Sequence, residues 1–266
     1  MESTWIRRMG LGAIVLMLLV MGAHPGYAQD NDPSGIPTKL VVRAVSQDAK
    51  LIQDPVGGAQ ITVRNAETGE VLAEGLQQGD SGSTEMIMQQ PHERGADIYD
   101  TPGAAAFSTT LALTEPTRVE ITAEGPLEYP QAMQSASTTL LMVPGKDVVG
   151  NGVVLTLHGF IVEVLSPQDA SAVVPGNELA VQARVRMMCG CPTEPGGMWD
   201  SSRYDIRAQL VKDGAVVSAT PLQFAGRTNV YGGTISVPSE GADQLRVVVT
   251  DADRVNFGMD TMALSE

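Results

Sequence analysis

Glu178-Leu-Ala-Val-Gln-Ala-Arg-Val-Arg186 alternates Leu179, Val181, Ala183 and Val185 with Ala180, Gln182, Arg184 and Arg186. A period of two sends one set of side chains into a core and the other mostly into water, so the stretch reads as a half-buried strand. A helix would repeat its apolar positions every three or four residues. Runs of the same kind surround it at 160–165, 204–211, 232–237 and 243–250. Lys212-Asp-Gly214 supplies a two-residue hairpin signal, and Pro238-Ser-Glu-Gly241 a further turn. Upstream, a first series runs through 39–45, 59–64, 71–73, 106–113, 117–123, 137–143 and 152–157, with Glu67-Thr-Gly-Glu70 as a turn between antiparallel strands. His158-Gly159 separates the two series. The fold class expected is all-β, with two tandem antiparallel β-sandwiches over 38–158 and 160–266, which suits a chain of 266 residues better than one sandwich does.

The N-terminus reads as an export signal. Arg7 and Arg8 precede an apolar run over 11–22, and Ala23-His-Pro-Gly-Tyr-Ala28 offers a small-residue cleavage site before Gln29. Twelve residues span about 18 Å as a helix, short of a bilayer core of about 30 Å, so a membrane anchor is disfavoured. No cysteine follows the cut, which argues against a lipoprotein. Residues 1–28 are the expected signal peptide, and 29–37 a flexible, breaker-rich lead-in. The expected product is periplasmic or secreted, with no membrane span after signal cleavage.

Seventeen Lys and Arg against 31 Asp and Glu give a formal charge of −14. Arg7, Arg8 and Glu2 of the leader carry a net +1, so the remainder stands near −15. Such a field repels phosphate backbones, and nucleic-acid binding is excluded as a function class. The chain has three histidines, His24 among them in the leader, which leaves little for His-based catalysis. There is no Gly-x-Ser-x-Gly, phosphate loop or His-Glu-x-x-His, and Asp97, Asp100 and the other carboxylates are scattered. No catalytic residue is nominated.

Pro55-Val-Gly-Gly-Ala-Gln-Ile-Thr-Val63 followed by Glu67-Thr-Gly-Glu-Val-Leu-Ala-Glu-Gly75 resembles the carboxypeptidase-regulatory-like (transthyretin-like) β-sandwich, in which a Pro-Val-x-Gly-Ala turn enters a strand and a Thr-Gly turn leaves it. The resemblance covers 38–76, and the long insertion over 79–103 departs from the family pattern. Val164-Leu-Ser-Pro-Gln-Asp169, and Val247-Val-Val-Thr-Asp-Ala-Asp253 with Asn256-Phe-Gly258, resemble the first and last strands of bacterial immunoglobulin-like (Ig-like) domains. Both resemblances imply accessory or adhesive sandwiches and carry over no functional residues.

One segment stands apart: Met187-Met-Cys-Gly-Cys-Pro-Thr-Glu-Pro-Gly-Gly-Met-Trp-Asp200 holds both cysteines, three methionines and Trp199. Cys189 and Cys191 on a straight strand would share a face with Cα atoms about 6.6 Å apart, near the upper limit for a disulfide, and Gly190 can relax that geometry. Three readings stay open. The first is a local disulfide, favoured by an oxidising compartment and an even cysteine count. The second is a soft-metal site, with Cys189, Cys191 and Met187, Met188 or Met198 holding Cu(I). The third is thiol–disulfide exchange, which needs a thiolate of depressed pKa.

Met86, Met88 and His92 form a second possible soft-ligand set, although core packing is the commoner role of such methionines. Asp251, Asp253, Asn256 and Asp260 lack the EF-hand spacing and read as solvated turns. The expected function is an exported, non-catalytic binding or accessory protein of the cell envelope. Met198 and Trp199 would supply adaptable apolar contact to an envelope protein or glycan. The alternative is periplasmic copper handling.

Overall fold

Strand formation follows the period-two burial anticipated above. In the computed structural model, which describes residues 35–264, Leu179, Val181, Ala183 and Val185 are buried. The expected signal peptide and most of the expected lead-in lie outside the described residues.

The first series forms β1 (Ile36–Ser46), β2 (Ala59–Asn65), β3 (Val71–Gln77), β4 (Phe107–Leu113), β5 (Thr117–Gly125), β6 (Gln134–Met142) and β7 (Val148–Leu157). A sheet ordered β4-β1-β7 faces one ordered β3-β2-β5-β6. One pairing departs from the antiparallel expectation: β1 runs parallel to β7, Leu40 opposite Val148 and Ser46 opposite Leu157. The hairpin between β2 and β3 forms at the Thr-Gly turn, where the Asn65 side chain accepts from the amides of Glu67 and Thr68, and Gly69 takes a φ of 77°. Val71–Gln77 runs longer than its apolar run because Gln77, fully buried, donates to the carbonyls of Ala44 (3.0 Å) and Ile52 (2.8 Å).

The insertion over 79–103 is pinned to this sandwich. The buried Arg43 guanidinium donates to Asp100 at 2.9 Å and to the Gly150 carbonyl. Asn151 receives the Tyr99 amide at 2.8 Å and donates to Ala96 at 2.7 Å.

The second series forms β8 (Phe160–Ser166), β9 (Glu178–Met187), the two-residue β10 (Thr193–Glu194) and β11 (Trp199–Asp200), β12 (Asp205–Lys212), β13 (Ala215–Pro221), β14 (Gln223–Arg227), β15 (Val230–Ser236), β16 (Gln244–Asp251) and β17 (Asn256–Ala263). Sheets β14-β15-β9-β8 and β13-β12-β16-β17 face each other. With the two short strands set aside, this is the ABED and CFG pairing of an Ig-type sandwich, with one added edge strand. Leu179, Val181, Ile206, Leu210, Leu245 and Val247 meet between the sheets. At the expected hairpin, Asp213 and Gly214 both take positive φ, as a tight primed turn requires.

Candidate functional site

The sulfur-rich segment begins where β9 ends, against the first sandwich. At Gly190 the chain turns back with a φ of 79°, and the Gly190 amide donates to Met187 O at 2.8 Å. That turn brings the Cα atoms of Cys189 and Cys191 to 5.3 Å, and the two form a disulfide. Of the three readings of the cysteines, the local disulfide is the one present. A Cβ on residue 190 would lie 2.9 Å from Val56 of the first sandwich, so the turn needs glycine for contact as well as for φ.

The five sulfur residues divide: Met187, Cys189 and Cys191 pack in the second core, Met188 in the first, and Met198 is exposed. Met187 packs in the second core, where its sulfur accepts from the Tyr204 hydroxyl at 3.7 Å, whereas Met188 packs in the first core. Consecutive side chains of an extended backbone point to opposite sides, and here each side is a different sandwich. Met198 is 45% exposed and belongs to neither core. A Cu(I) centre needs thiolates and a thioether on one ion; here the cysteine sulfurs are bonded to each other, and of the three methionines Met187 alone shares their core. Thiol exchange meets a related obstacle, because Cys189 and Cys191 are 0% and 4% exposed and no sulfur is presented to a partner thiol. Arg184 and Arg186 both pair with Glu163, at 3.2 and 3.0 Å.

Trp199 departs from the expected surface role. It is 6% exposed and packs in the second core, and its indole Nε1 donates to the Asp48 carbonyl at 2.9 Å. A Trp buries most area when its ring is inside and its N–H finds an acceptor, and Asp48 supplies that acceptor from the turn after β1. Of the Met198–Trp199 pair, only Met198 faces solvent. The loop carrying it is braced from within: Asp200 accepts from the amides of Gly196 (2.9 Å) and Ser202 (3.0 Å), and these bonds hold its carboxyl below the ordinary value.

The segment therefore acts as a joint between the sandwiches. Gln53 Nε2 donates to Cys189 O at 2.7 Å, Gln131 Nε2 to Val162 O at 3.1 Å, and Asn256 Nδ2 to Gln47 O at 3.1 Å. The Asn256 side-chain Oδ1 accepts from the Gly159 amide at 2.9 Å, fixing the turn between β7 and β8. The Arg186 guanidinium lies 4.9 Å over the Tyr129 ring. Ala49 joins the second core, and Ile161 and Met188 the first, so the cores interlock. Beside them Arg254 pairs with Asp48, and the buried Asp251 meets Arg203 at 3.4 Å. Burial pushes the carboxyls of Asp48 and Asp251 up, and Arg203 draws both back. Burial likewise pushes the Tyr204 hydroxyl far up, with Asp251 adding to the shift. Gln53, Asp48, Gln131 and Arg254 carried no signal in the sequence, because polar residues in turns read as solvated.

The secondary candidates are also dispersed. Met86 and Met88 lie on a helical turn, Glu85–Gln89, rather than on a strand, with Met88 packed against the second core and His92 Nε2 paired to Met86 O. Asp251 binds arginine, Asn256 holds the junction, and Asp260 accepts from the Val164 amide at 2.8 Å. His158 Nδ1 pairs with Val255 O at 2.9 Å. Among the described residues no group of three or more His, Cys, Asp or Glu assembles as a metal site, and no helix is long and apolar enough to cross a membrane.

No family model and no curated protein matches the chain. Among solved structures, the chain is similar to one in a crystal structure of ICOS in complex with ICOS-L and an anti-ICOS-L VNAR domain, at 9% identity and a TM-score of 0.21, over 86% of this chain and 95% of that one. The sandwich assignment rests on the strand pairings themselves.

Proposed function

We propose that this chain is an exported, non-catalytic binding or accessory protein of the cell envelope that engages a protein or glycan through the second sandwich. The observation that carries the reading is the fate of its most chemically distinctive segment. The cysteines are paired, Met187, Met188 and Trp199 fill cores, and Met198 alone is left exposed on a braced loop. Such a loop offers an adaptable apolar contact on a rigid support. Export is supported by the leader and by the disulfide, a bond that persists in oxidising compartments. We assign the first sandwich to the carboxypeptidase-regulatory-like type on its Pro55–Ala59 entry and Thr68-Gly69 exit turns, where Gly57, Gly58 and Gly69 all take positive φ.

The test is affinity capture from an envelope extract, with the wild type compared with Met198→Asp. A partner recovered by the wild type and lost by the variant supports the reading. Equal recovery by both removes the loop from the contact.

A further inference from the structure

The second sandwich carries a cleft of about 350 Å³ beside the same loop, at the end where β12 begins and the chain crosses from β13 to β14. That volume falls within the range of small-ligand sites. One wall is the Phe224 ring, 37% exposed, on the edge strand β14. The ring is held in place: it meets the buried Tyr231 edge-to-face, centroids 6.1 Å apart, and the Tyr231 hydroxyl pairs with Thr193 Oγ1 at 2.9 Å. Burial raises the Tyr231 pKa, so its hydroxyl stays neutral across the physiological range.

The remaining lining sets four polar residues, Ser201, Ser202, Gln223 and Asp205, beside apolar ones such as Ile206 and Leu222. Ser201 Oγ is buried beside the Tyr231 hydroxyl. Among the described residues no lysine or arginine lines the cleft, and the charge of Asp205 is met from outside by Arg207, whose Nε donates to both carboxylate oxygens at 2.9 and 2.8 Å. A phosphate or carboxylate finds no counter-charge here. A purely apolar ligand would strand the hydroxyls and the amide.

The chemistry that fits is a ring with one C–H face and a rim of hydroxyls. From this geometry we infer that the cleft binds a neutral pyranose unit of an oligosaccharide, stacked on Phe224 with its hydroxyls toward Ser202, Gln223 and Asp205. Addition of a peptide strand to β14 is less favoured by the same observations: the strand is five residues long, is bulged between Phe224 and Arg227, and carries a cation, all features that blunt an edge. The inference rests on the binding-module reading and narrows its ligand.

The experiment is saturation-transfer NMR and calorimetric titration of the protein with chitotetraose and cellotetraose, the wild type beside Phe224→Ala and Gln223→Ala. Phe224 and Gln223 are both exposed, and circular dichroism checks that both variants fold. The expected result is transfer to sugar C–H protons, with binding weakened about tenfold in Phe224→Ala, the loss of one well-placed aromatic contact. Absence of transfer with both sugars, or equal affinity in Phe224→Ala, overturns the inference. If sugar binding fails while Met198-dependent capture persists, the saccharide assignment falls and the binding-module reading stands.

Discussion

The Trp199 indole nitrogen donates to the backbone carbonyl of Asp48 across 2.9 Å, tying the second sandwich to the turn that follows β1 of the first. Loss of this bond alone leaves a partly buried carbonyl without its partner. Trp199→Phe keeps most of the ring volume and is expected to lower stability by about 1–2 kcal/mol, measured by urea denaturation. An unchanged midpoint would show that the bond contributes nothing to the joint.

Cys189→Ala/Cys191→Ala tests the bridge. A ring closed over so few residues removes little entropy from the unfolded chain, on the order of 1.5 kcal/mol, so the double variant should fold with the same far-ultraviolet spectrum and a modestly lower midpoint. The same pair decides the copper alternative. Reduced wild type and variant should show the same weak response when titrated anaerobically with Cu(I) against a competing chelator. Tight binding by the wild type alone would restore the metal reading.

The pH dependence has a definite sign. Burial holds Asp251 and Asp48 above the ordinary 3.8. A carboxyl whose folded pKa lies above its unfolded one takes up protons more readily in the folded state. Its contribution to stability is therefore full below 3.8 and is lost as pH rises through the raised folded value. In Asp251→Asn the fall across that window should be shallower, read from urea midpoints at a series of pH values. An unaltered slope would mean that Asp251 titrates without penalty.

Gly258 lies on β17 where a Cβ would come within 2.8 Å of both Cβ and O of Phe160. Gly258→Ala should cost about 2 kcal/mol or more, because backbone on β8 must move to accommodate it. Full retention of the thermal midpoint would show that β17 can slide on β8.

Much of this architecture was legible in residue patterns, for reasons visible strand by strand. Buried strands such as β9, β12 and β16 alternate cleanly, and the turns at Thr68-Gly69 and Asp213-Gly214 need the positive φ that their residues supply. β14 leaves no pattern in the sequence, because all five of its residues are exposed and no alternation marks it. The parallel pairing of β1 with β7 depends on chain ends more than a hundred residues apart, which no local pattern encodes. Cys189 and Cys191 were recognisable as a pair, but the burial of Trp199 was not. Its acceptor, the Asp48 carbonyl, lies 151 residues earlier in the chain.

The two sandwiches are expected to behave as one cooperative body, joined through Met188, the disulfide turn and Trp199. Native-state hydrogen exchange by mass spectrometry, comparing wild type with Val247→Ala in the second core, tests this most directly. The prediction is that protection falls equally in β2 and β5 of the first sandwich and in β12 and β16 of the second. Loss confined to β12 and β16, with β2 and β5 unchanged, would contradict it.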